Sequence, residues 1–182
     1  MSQLPKQVQK LLDIIEGREH MEATTVKNPL RANLGAMYLM VYDAKWKAQL
    51  EFWDTLPMFI LIGKKGDRWF GINLHYVPWT WRKSLAKELM KMYSWKKRIQ
   101  YKDIVSAFKS AKAPMGYLYL CLRSYLYSHI RSEVKMFDYQ NYDVVVDNVM
   151  PKFKKASEEY IYKTLMSRFY KKTGGIKKTK KQ

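Results

Sequence analysis

The stretch Pro57-Met58-Phe59-Ile60-Leu61-Ile62-Gly63-Lys64-Lys65-Gly66-Asp67-Arg68-Trp69-Phe70-Gly71-Ile72-Asn73-Leu74-His75 decides the fold. It holds two β-rich runs, Pro57 to Ile62 and Arg68 to His75, joined by the glycine-bearing loop Gly63 to Asp67. Two such runs separated by a short turn signal an antiparallel hairpin. Pro57 stands at a strand start, where its missing N–H costs least. Gly71 inside the second run predicts a bulge or a close approach by another backbone. Just upstream, Met37 to Tyr42 is an apolar, aromatic run ending at Asp43, and it reads as another strand.

Helical patterns surround this block. Val8, Leu11, Leu12 and Ile15 recur at three- and four-residue steps, predicting a helix from Leu4 to Gly17. Ala23 to Asn33 has no period and reads as a connector, or as an arm that docks on a partner. Pro78 opens a helix that reaches about Tyr93, with Trp79, Arg82, Leu85, Leu89 and Met92 at helical spacing. Tyr101 to Lys112 predicts a shorter helix, broken by Ala113-Pro114-Met115-Gly116. Tyr117 to about His129 is apolar nearly all round and predicts a deeply buried helix. Glu133 to Phe137 reads as a fourth strand, and Asp143 to Val149 as either strand or helical turn. Pro151 to Tyr170 predicts a long helix ended by Thr173-Gly174-Gly175. The expected fold class is α+β: a small antiparallel sheet or partial barrel over about residues 36–76, with a further strand near 133–137, wrapped by helices. The expected organisation is an N-terminal helix (1–20), a connector or arm (21–34), a single α+β domain (35–171) and a basic flexible tail (172–182).

Charge narrows the function. The 182 residues carry 34 Lys and Arg against 16 Asp and Glu, a net charge of +18. The excess is concentrated: Trp81 to Lys112 holds ten basic and two acidic residues, and Pro151 to Gln182 eleven and two. Self-repulsion opposes compaction, so an anionic partner is expected. A polyphosphate fits, because neutralising it releases condensed counterions. With 47% hydrophobic and 15% aromatic residues the chain is no disordered polycation. The single cysteine, Cys121, permits no disulfide within the chain and suits a reducing compartment. It sits in an apolar run and reads as a small buried hydrophobe. No signal-peptide pattern opens the chain, and no run approaches the roughly 18 apolar residues of a membrane span. A soluble protein with no membrane partner is expected.

The residues expected to meet the anion lie in two tracts. In the first, Lys83, Lys87 and Lys91 follow one another at i, i+4 and i+8, a stripe of ammonium groups about 6 Å apart that matches a phosphate backbone. Arg82 shares its first turn, and Lys96, Lys97 and Arg98 extend it. Trp79, Trp81 and Trp95 interleave with these cations and are candidates for base stacking, although Trp79 and Trp81 could equally cap the core. In the second tract, Lys152, Lys154 and Lys155 open the segment, Lys163, Arg168, Lys171 and Lys172 continue it, and Lys177, Lys178, Lys180 and Lys181 fill the tail. Such runs often form ordinary solvated faces; within a net +18 they become part of an electrostatic footprint. Nothing in the pattern encodes base-edge readout, so sequence-independent binding is expected.

Catalytic signatures are lacking. His20, His75 and His129 are far apart, and none pairs with Cys or carboxylate at metal-ligand spacing. No nucleophile elbow, phosphate-binding loop, zinc-protease or dinucleotide fingerprint occurs. A nuclease would need carboxylates such as Asp43, Asp54 and Asp67, which lie around the expected sheet; turn and strand-end chemistry explains them more simply. His75 reads as a buried, satisfied imidazole. No cofactor, no metal and no small-molecule substrate is expected. Signatures of RNA-binding modules are also missing, which ranks that reading last.

Several blocks together resemble a known family: Met37-Tyr38 with Val41-Tyr42-Asp43-Ala44-Lys45-Trp46-Lys47, then Phe52-Trp53-Asp54-Thr55-Leu56-Pro57 and Gly71-Ile72-Asn73-Leu74-His75-Tyr76-Val77-Pro78. Arg123 to Ser132 and Pro151 to Ser157 fit as well. They are similar to small virion proteins of tailed bacteriophages with contractile, T4-like particles, described as DNA end protectors. The similarity runs from about residue 34 to 160. The Gly71 to Tyr76 block is its most specific part, and Val77 stands where family members commonly carry Leu. The resemblance implies a non-enzymatic virion protein, assembled in the host cytoplasm, that engages the end of packaged double-stranded DNA at the portal or neck. There it would shield that end from host exonuclease. The competing readings are a structural neck, tail or baseplate subunit whose basic and aromatic surfaces meet other virion proteins, and a metal-dependent nuclease.

Overall fold

The structure is a computed structural model describing residues 5–16, 23–92 and 99–172. Helix α1 (Lys6–Glu16) buries Val8, Leu11 and Leu12, the stripe its spacing predicts. Strand β1 (Ala23–Val26) leads to a 3-10 turn, Pro29–Arg31, that the Asn28 side chain caps. Strands β2 (Met37–Leu39), β3 (Trp53–Asp54), β4 (Met58–Lys65) and β5 (Arg68–Asn73) follow. Helices α2 (Trp79–Met92), α3 (Tyr101–Ser110) and α4 (Met115–Leu118) come next. Strands β6 (Leu122–Leu126) and β7 (Val134–Phe137), helix α5 (Tyr142–Asn148), strand β8 (Phe153–Lys154) and helix α6 (Glu158–Lys172) complete the described chain.

The fold is α+β. Six strands form an antiparallel, unclosed sheet in the order β1-β7-β2-β4-β5-β6, and β3 and β8 pair separately. The expected hairpin is its centre, with Lys65 opposite Arg68 and the turn made by Gly66 and Asp67. Gly66 takes φ +59°, a left-handed value that glycine tolerates best. The bulge lies on β4 at Ile62, between the Leu61–Gly71 and Gly63–Phe70 pairs. Gly71 answers instead to a close approach. A Cβ there would sit 2.4 Å from the Phe59 ring and 3.2 Å from the Ile60 carbonyl.

Both sheet faces are covered, and the alternation along β2 and β4 divides the core in two. Met37, Leu39, Met58 and Ile60 point to the helices, joining Leu85, Leu89, Phe108, Val145 and Ile161. Tyr38, Phe59 and Leu61 point the other way, into an aromatic layer with Trp69 and Tyr125. Its ring centroids lie 4.5 Å (Phe59–Tyr125), 5.4 Å (Tyr38–Trp69) and 5.9 Å (Phe59–Trp69) apart, within the favourable range for tilted aromatic pairs. The segment expected to be a connector or arm is a strap over this layer. Trp69 Nε1 donates to the Pro29 carbonyl at 3.0 Å, and Lys64 Nζ donates to the carbonyls of Leu30 and Ala32.

Three expectations need correction. Ala23 to Asn33 is not structureless, because β1 adds an edge strand beside β7. Tyr117 to His129 is not one helix: four residues of α4 and a 3-10 turn give way to β6, which pairs with β5 along its whole length. The segment after Pro151 does not begin a helix. It pairs as β8, then Lys155 turns left-handed at φ +68°, and α6 starts only at Glu158.

Candidate nucleic-acid interface

The first basic tract folds as α2, but its side chains serve different ends. Arg82 is fully buried. Its Nε donates to the Val77 carbonyl and its Nη2 to the His75 carbonyl, both at 3.2 Å, and Nη2 also bonds the Tyr162 hydroxyl at 2.5 Å. Glu158 stands 3.5 Å away. Arg82 is therefore the pin between α2 and α6, and the expectation of a phosphate contact is corrected on that ground. The expected stripe does lie outward, yet Lys83 meets Asp147 of α5 at 3.1 Å and Lys91 meets Glu88 at 2.8 Å. Both pairs are solvent-accessible, so each is weak and exchangeable. Lys87 is exposed and makes no ion pair with a described residue.

The tryptophans divide likewise. Trp79 is 36% exposed, with Lys83 Nζ 5.3 Å and the Arg82 guanidinium 5.7 Å from its ring. Trp81 is half-buried, edge-on to Tyr117 at 5.5 Å, which makes it a core cap rather than a stacking platform. Trp95, Lys96, Lys97 and Arg98 lie outside the described residues, as do Lys177, Lys178, Lys180 and Lys181.

In the second tract Lys152 and Lys154 are exposed beside β3, with Lys154 in register with Trp53. Lys155 is spent on the fold. Its ammonium donates to the carbonyls of Lys47, Ala48 and Leu50 at 2.9–3.2 Å and lies 5.4 Å over the Trp53 ring. That contact fixes the 45–50 turn against the strand pair.

The turn forms one wall of a cleft of about 380 Å³ between the β3 region, the ends of β5 and β6, and α6. This falls within the size range of small-ligand sites. Its cations are Lys45, Arg68, Arg123 and Arg168, and its rings include Trp46, Phe52, Trp53, Tyr76 and Tyr125. Arg123 lies 3.8 Å over the Tyr76 ring while its Nη1 donates to the carbonyls of Leu120 and Leu122. Arg168 stands over Phe52 at 5.9 Å and pairs with Glu51. Lys45 Nζ is 5.1 Å from the Trp46 ring, and Trp46 itself is 58% exposed.

At the cleft's inner end Asp54 is buried in a closed polar network. Its Oδ2 lies 2.7 Å from His75 Nδ1 and accepts from Asn73 Nδ2 at 3.1 Å, and its Oδ1 accepts from the Leu56 N–H. His75 Nε2 faces the Val149 carbonyl at 3.3 Å. Burial alone would raise the Asp54 carboxyl; His75, the Leu56 N–H and Asn73 outweigh it and hold the group below the usual carboxylate range. His75 is thus the satisfied buried imidazole expected. Asp43 bonds Lys47 at 2.9 Å, and Asp67 bonds Arg68 at 3.2 Å. Among the described residues no three His, Cys, Asp or Glu side chains gather where they could hold a metal ion. Cys121 is fully buried, which pushes its thiol up to about 12.

Sequence reasoning missed Lys45, Trp46, Arg68 and Arg123 as site residues. The signal was available for two of them: Lys45-Trp46 is a cation beside a tryptophan, the same pattern that marked Trp81-Arg82. Arg123 was hidden by the helical reading of its segment.

These observations define a strongly basic α+β protein whose cleft joins arginines to aromatic rings. No curated protein and no solved structure matches the chain. A family model described as Phage T4 terminal DNA protecting protein matches residues 13–169, and the chain belongs to that family. Among the described residues no helix is long and apolar enough to cross a membrane.

Proposed function

We propose that the protein binds the end of double-stranded DNA through sequence-independent phosphate contacts and blocks exonuclease there, as a non-enzymatic component of a phage particle. The observation that carries this reading is membership of a terminal-DNA-protecting family by a chain with a net charge of +18. Lysines supply the phosphate contacts: half-exposed Lys83 and exposed Lys87 and Lys91 on α2, and exposed Lys152 and Lys154 beside β3. Lys83 and Lys91 exchange their carboxylate partners for phosphates. The basic residues outside the described parts, Lys96 to Arg98 and Lys177 to Lys181, add to the same field. Such contacts position a protein on a duplex without reading its bases.

The test is protection. Linear duplex is incubated with the protein, then with an exonuclease, and full-length strands are counted over time. Retention of full-length DNA in proportion to bound protein supports the reading. Unprotected ends at saturating protein sink it, and shortened products formed before any exonuclease is added would point to a nuclease instead.

A further inference from the structure

The cleft shows a ligand chemistry that the general basic surface does not. Four cations line it, Lys45, Arg68, Arg123 and Arg168, against two carboxylates, Asp54 and Glu51. Asp54 is already answered by His75, and Glu51 by Arg168 and the Tyr160 hydroxyl. The net charge is therefore positive: Lys45 and Arg123 face no carboxylate of the cleft, and Arg68 shares only an exposed pair with Asp67 at 3.2 Å, which a phosphate can displace. A volume of about 380 Å³ holds one nucleotide and excludes a base-paired duplex. Trp46, 58% exposed at the cleft wall, leaves a ring on which an unpaired base can stack, and Tyr76 with Arg123 above it forms a second flat surface deeper in. Arginine forks suit a phosphate monoester, whose oxygens they can bind in pairs.

We infer that this cleft receives a single unpaired terminal nucleotide of a DNA strand, its base stacked on Trp46 and its terminal phosphate monoester held by Arg68 and Arg123. The inference rests on the end-binding reading and deepens it. The lysines grip the flanking duplex, while the cleft recognises what only an end possesses, a base free to leave the stack and a phosphate with two ionisable oxygens.

The experiment uses the full chain and DNA hairpins that have one open end. One hairpin is blunt with hydroxyl termini. Two others carry a one-nucleotide overhang bearing a phosphate monoester, at the 5′ side or the 3′ side. A closed circular duplex is the fourth DNA. We expect at least one phosphorylated overhang to bind about tenfold more tightly than the blunt hairpin, the scale of one stacked base. Trp46→Ala and Arg68→Gln alter exposed side chains; each is expected to abolish that preference, with affinity for the circle and for the blunt hairpin changing by the same factor. Trp46→Phe should restore most of it. Equal affinity for all three hairpins overturns the inference, as does a preference that survives Trp46→Ala. In either case tighter binding of hairpins than circle would leave end binding itself standing. Equal binding of hairpins and circle by the unaltered protein would remove the end-binding reading, and the cleft inference with it.

Discussion

Single residues separate the charges that hold the fold from those left for a ligand. Arg82 is the plainest case, a fully buried guanidinium in a basic tract that looks like a contact surface in sequence. Removing one partner of a buried charged network leaves the others uncompensated. Arg82→Met should therefore lower unfolding stability by about 3 kcal/mol in denaturant titration, while the folded variant's affinity for duplex at low temperature stays near that of the parent. A large loss of affinity with unchanged stability would return Arg82 to the interface. Asp54 makes a pH prediction. Its carboxyl is depressed in the folded state, against its own burial, by His75, Leu56 and Asn73. Its contribution is thus full above the ordinary carboxylate value and is lost as pH falls through the lower folded value. Stability should drop in that acidic window, and Asp54→Asn should flatten the drop while lowering stability at neutral pH. An acid limb identical in the two proteins would contradict the network's role. The long-range partners of the two residues were not legible in sequence, because Arg82 and Tyr162 are 80 positions apart and Asp54 and His75 are 21 apart; the local bond from the Leu56 N–H to Asp54 is the strand-end chemistry expected.

Elements carry the phosphate-binding stripe and most of the misreadings. On α2 the helical spacing of Lys83, Lys87 and Lys91 is realised, but Asp147, contributed by α5, could not be foreseen from α2 alone. Lys87 needs to surrender no carboxylate before meeting DNA. Lys87→Gln should reduce the slope of log affinity against log salt by about 0.9, the value for one phosphate contact, with no change in unfolding midpoint. An unchanged slope would take α2 out of the interface. The hairpin of β4 and β5 was legible because its turn residues and β-rich runs agree. β6 was not, because the sheet is covered on both faces and both Tyr125 and Leu126 are buried, erasing the period-two signal. The start of α6 was misplaced because the helical reading was carried back to Pro151, through residues that pair as β8. The usable mark was Ser157, whose Oγ accepts from the Tyr160 N–H, followed by Glu158 and Glu159 in the first turn. Lys155 shows why the helix cannot start earlier: its left-handed backbone is held by three carbonyl contacts from another part of the chain.

At the scale of the whole molecule, α+β class and basic character were legible, since composition, the central hairpin and the flanking helical periods all point the same way. Sheet order was not, because β7 inserts between β1 and β2, and β6 closes the far edge beside β5. The cleft depends on that order, for it draws on the 42–54 region, β5, β6 and α6, segments that meet only in three dimensions. Net charge, by contrast, is a property of the entire chain, and it sets the central expectation. A protein of +18 binds any duplex at low salt, so affinity alone says little. What distinguishes an end-binding protein is a preference that persists as salt screens the general attraction. The most direct measurement is a salt titration of binding to a linear duplex and to the same sequence closed into a circle. The expected result is that the ratio of affinities favours the linear form and grows as salt rises toward physiological strength. A ratio of one at every salt concentration would contradict end recognition and leave a general DNA-binding protein.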